Sequence, residues 1–113
     1  MAKTDRLLGY NGIDGVFVKN GKYYIVEAKY TGKASLNPAN PKTRLPRQMS
    51  DAWIQRPGEL RKSLGGDGVL AQRIIKSGYT RVLAKVKPDG TVTYRLINED
   101  GYVIRGKAGD FNP

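Results

Sequence analysis

The sequence contains no cysteine and no histidine. These absences exclude disulfide bonds, thiol catalysis, zinc-finger sites and acid–base catalysis by histidine. Any bound metal must therefore take oxygen ligands, which favours Mg²⁺ or Mn²⁺ and leaves Zn²⁺ as the less favoured possibility. Long apolar runs are also missing, because no stretch approaches the roughly 18 residues of a membrane-spanning helix. The sequence predicts no membrane insertion by this domain.

Acidic residues are scarce. Ten Asp and Glu stand against 20 Lys and Arg, which gives a formal net charge of +10. An excess of this size indicates an anionic partner, for which nucleic acid is the leading candidate and a membrane surface the competitor. The length of 113 residues predicts one domain, over 1–113, with a single modest core.

Two runs of β-branched and aromatic residues flank Asn20-Gly21. This dipeptide suits a type I′ hairpin turn, and strands joined there pair residues whose numbers sum to 41. The register predicts Asp14 directly opposite Glu27, with Lys29 on the same face. Two facing carboxylates repel each other, and a divalent cation would remove the conflict. The alternative is an ordinary solvated strand end.

The segment that follows is basic and irregular. Residues 31–46 hold three prolines and cannot form a long element. No acid occurs between Glu27 and Asp51, whereas five bases do: Lys29, Lys33, Lys42, Arg44 and Arg47. We expect this loop to hold phosphates beside the predicted site. A solvated linker is the alternative.

The remaining pattern predicts helices followed by a second hairpin. We expect a helix over 47–56 with Met49, Ala52 and Trp53 buried, and a further helix over 59–64. Asp67 is the predicted N-cap of a helix that runs to Ser77, with its apolar face formed by Val69, Leu70, Ile74 and Ile75. Strands over 79–87 and 91–97 flank a Pro-Asp-Gly turn, a fifth strand is possible at 102–104, and 1–11 and 106–113 are predicted loose ends. The predicted class is α/β, with a mixed sheet of four to five strands and helices packed on it.

Three strings carry a family resemblance: G-I-D-G-V-F at 12–17, Y-I-V-E-A-K-Y at 24–30 and R-Q-M-S-D-A-W-I at 47–54. Together they resemble the PD-(D/E)xK, or restriction-endonuclease-like, nuclease superfamily. They are most similar to the nuclease domains at the C-termini of bacterial polymorphic and contact-dependent inhibition toxins. The resemblance covers about residues 9–97 and implies a restriction-endonuclease-like fold.

The resemblance also implies roles for individual residues. Asp14 and Glu27, with the backbone carbonyl of Ala28, would hold Mg²⁺ or Mn²⁺, and Lys29 would stabilise the charge that develops during phosphodiester hydrolysis. The resemblance also implies that Gln48, on the helix after the E-x-K strand, is a further site residue. The weaker candidates are Ser50, Asp51 and Asp5, the last being the only acid before Asp14. The candidate nucleic-acid contacts are Lys33, Lys42, Arg44, Arg47 and Arg56.

The implied activity is that of a metal-dependent endonuclease toxin, with DNA favoured over RNA as substrate. The resemblance further implies delivery as part of a larger bacterial toxin, action in the cytoplasm of the target cell, and neutralisation by an acidic immunity protein. An RNase that cleaves transfer RNA and a non-catalytic, basic nucleic-acid-binding module are the alternatives.

Overall fold

The computed structural model describes residues 5–6, 15–30 and 36–111. The predictions for Asp14, Lys33 and the remaining parts of the N-terminal end therefore lie outside the described residues. The strands are β1 (Asp5–Arg6), β2 (Gly15–Lys19), β3 (Lys22–Tyr30), β4 (Tyr79–Val86) and β5 (Val92–Ile97). The helices are α1 (Asp51–Ile54), α2 (Glu59–Ser63) and α3 (Gly68–Ser77), and Lys107–Gly109 form a 3₁₀ turn.

The predicted turn and register of the first hairpin are confirmed. Asn20 and Gly21 have φ angles of 52° and 74°, the positive values that a type I′ turn requires at both positions. Val16 pairs with Ile25 and Val18 with Tyr23, so the paired numbers sum to 41. The described part of this register ends at Gly15 opposite Val26.

The strands form one mixed sheet in the order β1-β2-β3-β4-β5. Neighbouring strands are antiparallel except β3 and β4, which are parallel and connected through the three helices. The four longer strands and the helices confirm the predicted α/β class with two hairpins. Instead of being loose, Asp5 and Arg6 add a two-residue edge by pairing with Val18 and Phe17.

The main core lies on the sheet face that carries Val16 and Ile25. These residues join Leu83 and Ile97 from the other hairpin, and the helices and the loop that precedes them contribute Leu36, Met49, Trp53, Ile54, Leu60, Leu64, Ala71 and Ile74. Each strand alternates its side chains between faces, so the odd-numbered positions of β3 point toward the helices. Glu27 and Lys29 therefore lie on the helix-covered face.

The C-terminal tail helps to cover the opposite face. The ring of Phe111 lies 5.3 Å from that of Tyr24 and 6.4 Å from that of Tyr94. Arg95 forms an ion pair with Asp110. The prediction of a loose end over 106–113 is thus wrong for residues 107–111, because aromatic contacts and this ion pair fix the segment against the sheet.

Helix boundaries differ from prediction at α1. It begins at Asp51 rather than residue 47, because Met49 has a φ of 66° and the Ser50 side chain caps the first turn. Gln48 therefore lies in a turn, and Ala52 is exposed rather than buried. The N-cap predicted at Asp67 is confirmed, since its side chain accepts the Leu70 N–H at 2.9 Å.

Two smaller expectations also changed. Val69, predicted on the core face of α3, is 74% exposed because it lies in the first turn, on the side away from Ala71 and Ile74. The possible fifth strand at 102–104 is reduced to a single bridge between Val103 and Ile97. Within the described residues, no helix is long and apolar enough to cross a membrane.

We predict that Gly101→Ala destabilises the protein more than Gly90→Ala. Both glycines have φ near 88°, and placing a side chain there costs about 1–2 kcal/mol. A Cβ at Gly101 would also lie 2.8 Å from the Gln48 carbonyl oxygen, whereas nothing lies within 4 Å at Gly90. Urea denaturation should show about 1–3 kcal/mol more loss at Gly101. Equal losses for the two variants would contradict the close approach.

Candidate functional site

A buried carboxylate forms the centre of the candidate site. Glu27 is only 4% exposed on β3, where alternation places it on the same face as the core residue Ile25. Its Oε2 accepts a hydrogen bond from Gln48 Nε2 at 2.6 Å and lies 3.3 Å from Lys29 Nζ. The structure thus brings together three of the four predicted catalytic residues. The fourth, Asp14, lies outside the described part of the chain.

Gln48 also joins the site to the basic loop. Its backbone N–H donates to the Asn37 carbonyl at 2.9 Å, and its side-chain Oε1 accepts the Asn37 N–H at 3.0 Å. Asn40 and Leu45 close the loop further out through two backbone hydrogen bonds. The ends of the segment between Asn37 and Gln48 are therefore fixed beside Glu27. The sequence offered no indication that Asn37 has this role, since Asn37 takes part only through its backbone atoms.

The predicted phosphate contacts divide into two groups. Lys42 and Arg44 are exposed at the tip of the loop, where Arg44 has a φ of 55°. Arg47 instead donates from Nε to the Gly101 carbonyl at 2.8 Å, and its guanidinium lies 4.2 Å from the centre of the Tyr102 ring. Arg56 pairs with Glu59. Among the predicted phosphate contacts that the structure describes, only Lys42 and Arg44 make no such side-chain contact within the chain.

The two weaker candidates beside Gln48 have structural contacts. Ser50 Oγ accepts the Trp53 N–H at 3.2 Å and donates to the Arg47 carbonyl at 2.7 Å, so it caps α1. Asp51 accepts hydrogen bonds of 2.7 Å from Arg81 and from the Tyr79 hydroxyl. Ser50 therefore caps α1, and Asp51 ties α1 to β4.

The Asp51 cluster changes the acidity of Tyr79. Burial raises the pKa of Tyr79 to about 12, and its hydrogen bond to Asp51 acts in the same direction, while the hydrogen bond from Gln55 opposes them. The phenol therefore remains a neutral donor to Asp51 across the physiological range. This network joins the helical layer to the first residue of β4.

Among the residues that the structure describes, Glu27 is the predicted metal ligand that would bind through its side chain. That part of the chain contains no group of three or more acidic side chains placed to hold a cation. Asp5 lies on β1, and its backbone pairs with Val18 of β2. Ala28 lies between Glu27 and Lys29 with its side chain exposed on the opposite face, and the role of its carbonyl stays a prediction.

Comparisons with known proteins assign no function to this chain. No protein-family model matches the chain. No curated protein and no solved structure matches it either.

We predict that Gln48→Ala destabilises the fold by about 1–3 kcal/mol. The change removes a hydrogen bond to a buried carboxylate and the acceptor for the Asn37 N–H. The free energy of unfolding and the rate of tryptic cleavage in the 37–48 loop should report the loss. Gln72→Ala, at an exposed position of α3, is the control. Equal stability and equal cleavage in the two variants would refute this role of Gln48.

We predict that the protein loses stability between pH 10 and 12 partly through Tyr79. Its folded-state pKa is raised above the ordinary value, so its contribution is present below pH 10 and is lost as the pH rises toward 12. Denaturation curves at pH 9.5 and 11.5 should show a smaller decline for Tyr79→Phe than for the wild type. The Tyr102→Phe variant, which alters an exposed tyrosine, should decline like the wild type.

Proposed function

We propose that this protein is a metal-dependent nuclease that hydrolyses phosphodiester bonds. The observation that carries the proposal is the buried Glu27 carboxylate, whose Oε2 lies 2.6 Å from Gln48 Nε2 and 3.3 Å from Lys29 Nζ. The cationic loop attached through Gln48 supplies the setting in which an anionic polymer would meet this carboxylate.

A purely structural role explains the Glu27 cluster less well. Burying a carboxylate is unfavourable unless it is paired and hydrogen-bonded, and apolar side chains often replace buried ion pairs without loss of stability. Here the paired ammonium comes from the same strand and retains 19% exposure of its side chain. The salt bridge joins residues two apart on one strand, so it adds no link between elements beyond the hydrogen bond that Gln48 donates. The arrangement instead presents an acid and a cation together at one end of β3.

The proposal assigns a hard divalent cation to the Glu27 carboxylate. Carboxylate oxygens are the ligands that Mg²⁺ and Mn²⁺ prefer, and Glu27 provides them. In the proposal Asp14 and the Ala28 carbonyl complete the protein ligands, as the sequence resemblance implies. A bound cation would supply Lewis-acid activation of the phosphate and of the attacking water.

The other residues orient the substrate and offset charge. Lys29 Nζ stabilises the negative charge that develops on the phosphoryl oxygens in the transition state. Gln48 holds the Glu27 carboxylate in one orientation and fixes the loop. Lys42 and Arg44 then contact backbone phosphates on either side of the reacting bond. None of these roles requires a contact with a base.

The proposal includes a restriction-endonuclease-like fold, DNA as the favoured substrate and a role as the delivered domain of a bacterial competition toxin. Support comes from the sequence resemblance, from the mixed sheet with helices between β3 and β4, and from the net charge of +10. Such a toxin needs an acidic immunity protein, and the basic loop is the surface that it would cover. Failure of the adjacent gene's product to co-elute in gel filtration would count against this part.

The direct test is cleavage of plasmid DNA and total RNA with Mg²⁺, Mn²⁺, Zn²⁺ or EDTA. Metal-dependent loss of plasmid supports the DNase, and loss of transfer RNA alone supports the RNase alternative. Binding that survives EDTA without any cleavage under metal would leave only a basic binding module. The control reaction contains the protein after heat denaturation.

We predict that Glu27→Gln, Lys29→Ala and Asp14→Ala each reduce cleavage at least about 100-fold, because each removes charge from the transition-state environment. Circular dichroism should show that the variants remain folded. Glu99→Gln and Lys22→Ala, both at exposed positions, are the matched controls and should cleave like the wild type. Activity near the wild-type level in all three site variants would end the nuclease proposal.

A further inference from the structure

A row of three polar side chains crosses the sheet beside the candidate site. The parallel register pairs Lys29 of β3 with Lys85 of β4, and the antiparallel register pairs Lys85 with Thr93 of β5. Paired positions on neighbouring strands point to the same face and lie about 4.8 Å apart. Lys85 and Thr93 therefore share the face of Glu27 and Lys29.

The electrostatics of this row are unbalanced. Lys29 is paired with Glu27, whereas Lys85 is exposed and contacts no acidic side chain in the described part of the chain. On this face Lys85 lies between Lys29 of β3 and the uncharged Thr93 of β5, with the uncharged Leu83 two residues before it on β4. Like charges on adjacent strands disfavour pairing. An anion between the two ammonium groups would offset this repulsion.

The position of the row also favours ligand binding. Lys29 and Lys85 lie one residue before the carboxyl ends of the two parallel strands, Tyr30 and Val86. In α/β sheets, ligands commonly bind outside the carboxyl ends of parallel strands. Thr93 adds a hydroxyl donor that is exposed at the same register.

We propose that Lys85, supported by Thr93, binds a backbone phosphate of nucleic acid next to the phosphate that meets Glu27 and Lys29. This inference rests on the proposed function for the identity of the ligand. The Lys85 ammonium contacts this neighbouring phosphate and fixes the position of the nucleic-acid strand along the row. The contact adds affinity without sequence preference, because phosphates carry no base identity.

The test measures binding in EDTA, so that the nucleic acid stays intact. Fluorescent 20-base-pair DNA is titrated at several NaCl concentrations with the wild type, Lys85→Ala, Lys85→Arg and Lys22→Ala. Lys22 is the matched control because it is an exposed lysine about 23 Å away along β3 and on the opposite face. We expect Lys85→Ala to bind about 3–10-fold more weakly and to lower the slope of log K against log salt by about 0.9. Lys85→Arg should retain both values.

Lys85→Ala matching Lys22→Ala in affinity and slope would overturn the proposal. The outcome is separable from that of the nuclease test. If Lys85→Ala lowers the slope of log K against log salt but the wild type cleaves neither DNA nor RNA, the phosphate contact is supported and the nuclease is rejected. Normal metal-dependent cleavage with an unchanged slope would reject the contact and leave the nuclease in place. Free inorganic phosphate at 10-fold the oligonucleotide's phosphate concentration should compete poorly, and equal competition would reject the polymer as the ligand.

Discussion

The hydrogen bond between Glu27 and Gln48 is the interaction on which the site depends. A carboxylate that is 4% exposed needs donors nearby, and Lys29 of the same strand supplies one. The second donor comes from a turn 21 residues later. Because the same Gln48 side chain also accepts from Asn37, one buried charge helps to fix the two ends of the segment 37–48. The charge on β3 and the position of the loop are therefore coupled.

The turn that presents Gln48 is supported from the far end of the chain. Met49 is fully buried with a left-handed backbone, an unusual conformation for a residue with a long side chain. Gly101 packs against the backbone on either side of it, and the Arg47 side chain donates to the Gly101 carbonyl. The segment after β5 thus stabilises the turn before α1. We expect function and stability to be linked here, since a change at residue 101 would shift Gln48 relative to Glu27.

The sequence predicted well the features that depend on neighbouring residues. The Asn20-Gly21 turn fixed a register, and that register placed Glu27 and Lys29 on one face; the cap at Asp67 was equally local. The sequence predicted poorly the features for which tertiary contacts compete with a local pattern. Apolar spacing suggested a helix from residue 47, but burial of Met49 and capping by Ser50 delay its start. Lys85 could not be placed beside Lys29, because a parallel register depends on how three intervening helices pack.

Net charge alone is a poor guide to which cations meet a ligand. Arg47, Arg56, Arg81 and Arg95 are all engaged with carbonyls, aromatic rings or acids of the same chain. Guanidinium groups suit this use because they bridge several acceptors at once. Lys42 and Lys85 remain exposed instead, and flexible ammonium groups suit a ligand whose phosphates vary in position. In the proposed function Lys42, Lys85 and the exposed Arg44 would meet a phosphate backbone without recognising one sequence.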